Sequence, residues 1–178
     1  MSTIQVLDKT FEPYLKEAAI QEKITALAVQ LNLDYAGKRP IFLSVLNGAF
    51  LFTADLFKQI TIEAEVSFIK LASYKGTSST GNVITAIGLD INVQDRHIVI
   101  LEDIIDTGKT LYHYLPQLNS MRPASVKIAV LLDKKDALQY PVQIDYACFE
   151  IPNKFVVGYG LDYDGLGRNS KDIYQLLA

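Results

Sequence analysis

The sequence predicts an α/β fold built on a central, mainly parallel sheet flanked by helices. From residue 40 onward, short apolar runs alternate with stretches of helical spacing, the order of strand–helix–strand units. Several of these runs are apolar at nearly every position, as strands covered on both faces are. At 178 residues, with 49% hydrophobic and 21% charged residues, the chain suits one globular domain.

The elements follow in order. Between Glu12 and Leu33, Ala19, Ile20, Ile24, Leu27, Ala28 and Leu31 recur at helical spacing, so an amphipathic helix is expected there. Pro40–Leu46 reads as a buried strand ended by Asn47-Gly48, and Ala49–Lys58 as a helix. Glu65–Ala72 alternates like a strand. The polar, glycine-containing stretch Ser73–Asn82 has no periodicity and reads as an exposed connector or, alternatively, a mobile lid. Arg96–Leu101 is an apolar strand, and a helix is expected from Thr110. Pro116 should kink or end that helix early, because it removes one hydrogen bond and crowds the preceding turn. Val126–Leu132, Ile144–Ile151 and Phe155–Val157 complete the strands.

Composition narrows the function. A formal charge of −3 argues against a nucleic-acid binder, whose domain usually carries a basic excess. The start has no basic region followed by an apolar run, and no run approaches the ~20 residues of a membrane span. The chain is therefore read as cytoplasmic. The one cysteine, Cys148, lies in an alternating strand and reads as a buried core thiol. His97 and His113 lack ligand spacing, and neither is assigned to a metal.

The chemistry concentrates in Val99-Ile-Leu-Glu-Asp-Ile-Ile-Asp-Thr-Gly-Lys-Thr-Leu111. An apolar strand leads into Glu102-Asp103, then Asp106, then a small-residue loop opening into a helix. Ligands of open parallel sheets bind at the carboxyl ends of strands, where this loop falls. Gly108 lets backbone approach an anion, and the amides and hydroxyls of Thr107–Thr110, with Lys109 among them, can wrap a phosphate at the helix N-terminus. Acids beside a phosphate would repel it, so Glu102-Asp103 should face the paired hydroxyls of a ribose, or a metal ion. A Walker A loop is excluded, because Asp103 stands where its first glycine belongs. A dinucleotide fingerprint is excluded too: Tyr163 takes the place of the third glycine after Gly158 and Gly160.

That thirteen-residue segment resembles the phosphoribosyl-pyrophosphate motif of the type I phosphoribosyltransferases. Leu46-Asn-Gly-Ala-Phe50, Ser73-Tyr74, Leu131-Leu-Asp-Lys134, Phe149–Tyr163 and Arg168 narrow the resemblance to the hypoxanthine (hypoxanthine-guanine) phosphoribosyltransferases. It implies a core of about residues 37–145 and a small hood from about 1–36 and 146–178. It also implies transfer of phosphoribosyl from phosphoribosyl pyrophosphate to hypoxanthine or guanine, in purine salvage, as a dimer or tetramer. Asp106–Thr110 then hold the 5-phosphate and Glu102-Asp103 the ribose hydroxyls, with Asp106 the candidate base. Asn47, Gly48 and Arg168 face pyrophosphate, and Mg2+ sits with Asp162, Glu102 and Asp103. Lys134, Lys154, Phe155, Val156 and Asp162 form the purine site: Phe155 stacks, Val156 backbone reads the edge, and Lys134 donates to the exocyclic oxygen. Ser73-Tyr74 begin the loop that closes over the site.

From the residues alone, Phe155–Val157 is core strand, Lys134 a solvated lysine and Arg168 a surface arginine; the order of the whole block favours the functional roles. One position departs from the family's pattern, since Asn47 stands where a basic residue often follows the first strand, at a bond commonly cis in relatives. Two other readings use the same scaffold: a regulator binding nucleotide or RNA without catalysis, and a xanthine-preferring enzyme.

Overall fold

The computed structural model describes residues 2–73 and 83–177, with backbone alone at 72–73 and 83–87. Its elements are β1 (Ile4–Val6), β2 (Lys9–Leu15), α1 (Glu17–Asp34), β3 (Ile41–Leu46), α2 (Phe50–Phe57), β4 (Glu65–Ser73) and β5 (Val83–Ile87). β6 (His97–Ile105), α3 (Lys109–Ser120), β7 (Ser125–Asp133), β8 (Tyr146–Glu150), β9 (Val156–Val157) and β10 (Ile173–Leu176) follow, with one 3-10 turn at Lys135–Ala137.

The expected α/β architecture is present. A six-stranded sheet runs β5-β4-β3-β6-β7-β8; every neighbouring pair is parallel except β4–β5, which is antiparallel. Successive residues of β6 serve opposite faces. Val99 and Leu101 join Phe42, Ala129 and Leu131 under α1 and α2, while Ile98 and Ile100 join Leu43, Val130 and residues Leu111, Tyr114 and Leu118 of α3. Both faces are covered over β3 and the apolar stretches of β6 and β7, which is why these runs carry no polar alternation. One polar pair is buried in the layer, Ser44 Oγ and Thr53 Oγ1 at 2.7 Å, each satisfying the other. No helix among the described residues is long and apolar enough to cross a membrane.

A second sheet, β1-β2-β10-β9, joins the two ends of the chain. It corrects the expected helix from Glu12: residues 12–15 belong to β2, and α1 begins at Glu17. β2 is held by the C-terminal strand, with Phe11 opposite Leu176 and Glu12 opposite Gln175, a pairing that local spacing does not report. β6 also extends beyond the expected Leu101, because Glu102, Ile104 and Ile105 continue the parallel ladder with β7. Glu102 and Asp103 are thus strand residues, not loop residues. At the other end of the set, β8 starts two residues later than expected, at Tyr146. α3 runs through Pro116 to Ser120, so the early end expected there does not occur; burial of Leu111, Tyr114 and Leu118 offsets the missing hydrogen bond.

The small sheet's own core is little more than Val6, Phe11 and Val157, with Phe11 fully buried. Phe11→Ala is expected to cost about 3–5 kcal/mol in urea unfolding. A loss below about 1 kcal/mol would show that this sheet does not depend on Phe11.

Candidate active site

The carboxyl edge of the large sheet carries two linked groups of side chains. The first surrounds the loop after β6. Gly108 adopts φ 78° just before α3 and brings no capping side chain of its own, so amides of the first turn beyond Lys109 remain available to an anion. A side chain at Gly108 would be strained by the positive φ and crowded: its Cβ would lie 2.8 Å from Leu138 Cδ1 and 3.0 Å from the Tyr140 carbonyl. From behind, the amides of Gln139 and Tyr140 both donate to the Thr107 carbonyl at 3.0 Å. The loop borders a cavity of about 110 Å³ lined by Glu102 and residues 104–111. Within the loop, the Lys109 amide makes a long bond to Thr107 Oγ1, 3.4 Å.

Asp106 stands at the mouth of that cavity, its side chain half exposed, and Lys134 Nζ donates to its Oδ2 at 2.9 Å. Lys134 itself is buried at 5% exposure, and its amide bonds the Ile105 carbonyl at 2.9 Å, which ties the end of β7 to the loop. The same ammonium reaches Asn153 Oδ1 at 3.4 Å, two residues before Phe155. Asp106 and the C-terminal block therefore share one side of the molecule. Phe155 remains 44% exposed, its ring 6.0 Å from Phe11 and 5.7 Å from Tyr163. Val156 is buried opposite Gln175. Lys154 is engaged elsewhere: it donates to Gln175 Oε1 at 2.5 Å and lies 4.8 Å over the Tyr14 ring.

The second group gathers around Gly48. The Leu46–Asn47 peptide is cis. A Cβ on Gly48 would fall 1.7 Å from Asp103 Oδ2, so the carboxylate occupies the space a side chain would need. On another side, a Cβ on Gly160 would meet the Gly48 carbonyl at 2.0 Å. Arg168 then closes the cluster: Nη1 donates to the Gly160 carbonyl and Nη2 pairs with Asp162 Oδ1, both at 2.6 Å.

The acids of β6 are costly where they stand. Burial raises the Glu102 carboxyl well above the usual carboxylate range, and the neighbouring Asp103 charge adds to this. Its Oε2 is buried without a protein partner. Asp103 is pushed up to about 6 by burial, against the pull of the Ile104 amide and the Arg168 charge. Such oxygens suit hydroxyl donors or a cation. Among the described residues no three acids, histidines or cysteines converge as a complete metal cage. A magnesium ion sharing one or two carboxylates with substrate oxygens needs no such cage.

Ser73 ends β4, and Tyr74 lies outside the described residues. Sequence reasoning passed over Asn153, the contact between Gly48 and Gly160, and the buried, unpartnered Asp133 Oδ1. Only the paired glycines of Gly158-Tyr-Gly160 offered a signal, and both have positive φ.

Comparison with known proteins settles the family. The phosphoribosyl transferase domain matches residues 12–164. The hypoxanthine-guanine phosphoribosyltransferase of Streptococcus thermophilus is 40% identical over 166 residues, 92% of each chain. This chain belongs to the hypoxanthine-guanine phosphoribosyltransferases. Other members are as similar over as much of their length. The hypoxanthine-guanine-xanthine phosphoribosyltransferase of Tritrichomonas foetus is 38% identical, over 95% of this chain and 93% of that one. Among solved structures, a hypoxanthine phosphoribosyltransferase from Staphylococcus aureus superposes with a TM-score of 0.89 at 37% identity, covering 93% and 91%. Family membership makes the chain an enzyme of phosphoribosyl transfer, with the type I fold around its β6 loop.

The raised Asp103 carboxyl has a consequence for stability. Its folded value lies above the 3.8 of a free side chain, so folding takes up protons between pH ~4 and ~6, and stability falls as pH rises through that window. Without divalent cations, Asp103→Asn should therefore exceed the parent in urea stability above pH ~6, by up to about 3 kcal/mol. The gap should close towards pH ~4. Equal stabilities from acid to neutral pH would count against a strained carboxylate.

Proposed function

We propose that the enzyme transfers 5-phosphoribosyl from phosphoribosyl pyrophosphate to hypoxanthine and guanine, releasing pyrophosphate, as part of purine salvage. The observation that carries this is the Lys134–Asp106 pair at 2.9 Å, set between the phosphate-binding loop and the segment leading to Phe155. In this reading Thr107–Thr110 hold the 5-phosphate through amides and hydroxyls, and Glu102-Asp103 accept from the ribose hydroxyls. The orphaned Glu102 oxygen supports that assignment. Asn47, Gly48 and Arg168 face the pyrophosphate.

The purine stacks on Phe155 with its edge along the Val156 backbone. Lys134 donates to the exocyclic oxygen, a contact an amino group cannot accept, so adenine is a poor substrate. Asp106 takes the imidazole proton as the glycosidic bond forms. Lys154 supports this wall through Gln175 rather than by touching the base. Asp162 and the Glu102-Asp103 pair would hold magnesium, which would supply charge neutralisation on the leaving group. The same proposal includes the division into a core of about residues 37–145 and a hood from the two ends, a cytoplasmic location, and assembly as a dimer or tetramer.

The test is an assay with magnesium, phosphoribosyl pyrophosphate and each of hypoxanthine, guanine, xanthine, adenine and uracil, followed by chromatography. Monophosphates of hypoxanthine and guanine are expected; product from xanthine alone, or from uracil, would overturn the substrate assignment. Asp106→Asn should lower kcat by about 10²–10⁴-fold with an unchanged melting profile. Near-parental turnover would remove its role as base. Chelation of the metal should abolish product and readdition restore it.

A further inference from the structure

Outside the site, one carboxylate collects donors from three separate parts of the chain. Asp55, on the helix that follows the Asn47–Gly48 loop, accepts from the Tyr159 hydroxyl at 2.6 Å and from Gln21 Nε2 of α1 at 2.7 Å, both on Oδ2. Lys58 Nζ occupies Oδ1 at 2.7 Å. These donors hold the Asp55 carboxyl below the usual range in spite of partial burial, which marks the anion as the form the cluster is built around. Tyr159 is 2% exposed and has φ 49°, a left-handed backbone uncommon for a tyrosine.

The placement of Tyr159 explains why such a cluster matters. Its amide bonds the Ser170 carbonyl at 2.8 Å, and the next amide, Gly160, bonds the Arg168 carbonyl at 3.0 Å. Gly160 lies against the Gly48 carbonyl with no room for a side chain, while its own carbonyl accepts from the Arg168 guanidinium. A shift of Tyr159 would therefore move Gly160 off Gly48 and carry Arg168 with it. Phe155 and Val156 are held independently, by Phe11 and by the pairing with β10.

We infer that Asp55 is a positioning residue acting through Tyr159: it seats the Gly160–Arg168 segment on the Gly48 loop and so sets affinity for the pyrophosphate end of the donor, leaving Phe155 and Val156 at the purine end in place. The inference rests on the pyrophosphate role proposed above for Asn47, Gly48 and Arg168. Tyr159→Phe removes only the hydroxyl, Asp55→Ala the shared acceptor, and Asp55→Asn keeps an oxygen for Tyr159.

Calorimetric Kd for phosphoribosyl pyrophosphate, KM for each substrate, kcat and Tm are measured on all three and on the Tyr159→Phe/Asp55→Ala double variant. Tyr159→Phe and Asp55→Ala should weaken donor binding by about three- to tenfold, the scale of one lost hydrogen bond. The hypoxanthine KM should stay within about twofold, Asp55→Asn should bind nearly as the parent does, and the double variant should be no weaker than Asp55→Ala. Lowered Tm with unchanged donor affinity, or equal loss for both substrates, would reduce the cluster to a fold element. If Asp55→Ala does not fold, Tyr159→Phe decides alone. A parent that binds the donor without turnover sinks the catalytic reading only; a parent that does not bind it sinks both.

Discussion

Close approach at Gly48 is the constraint on which the rest of the site depends. The Asp103 carboxylate lies where a side chain of residue 48 would be, and Gly160 lies against the Gly48 carbonyl. Three segments far apart in sequence thus meet with only the Asp103 carboxylate between them. Such contacts leave little freedom, because bulk added at Gly48 or Gly160 must displace either a buried acid or a backbone. Backbone and carboxylate oxygens thereby converge beside the Arg168 guanidinium, and the loop after β6 opens on the same edge.

Electrostatics divides this edge into two parts. Glu102 keeps one buried oxygen without a partner, Asp103 is buried beside it, and their raised carboxyls register a folding cost. Lys134 and Arg168, by contrast, are each matched to one acid, Asp106 and Asp162. In the proposed function, a ligand bringing hydroxyls and phosphates would satisfy the first part and exchange partners with the second. Sites that retain such unpaired groups trade stability for function. The backing of Thr107 by Gln139 and Tyr140 serves the same end, because it aims the loop before any ligand arrives.

The small sheet shows where local patterns mislead. Glu12–Leu15 fits the start of a helix by spacing, yet β10 captures it as strand, some 160 residues along the chain. β1 and β10 are short, and neither was anticipated. Similarly, Pro116 is a strong local signal that tertiary burial overrides. In the large sheet the reverse holds: β3 and β7 follow the apolar runs closely, because residues covered on both faces must be apolar wherever the strands happen to lie.

By itself the sequence determined the α/β class and the family, since these depend on residue type and spacing along the chain, as in the motif of residues 99–111. Pairings between distant residues were beyond its reach. The link from Lys134 to both Asp106 and Asn153, the seating of Gly160 on Gly48, and the gathering of Gln21, Lys58 and Tyr159 around Asp55 were decided only by the tertiary structure. A hydrogen bond or a close approach is a property of two positions in space, and no local pattern in either partner records the other.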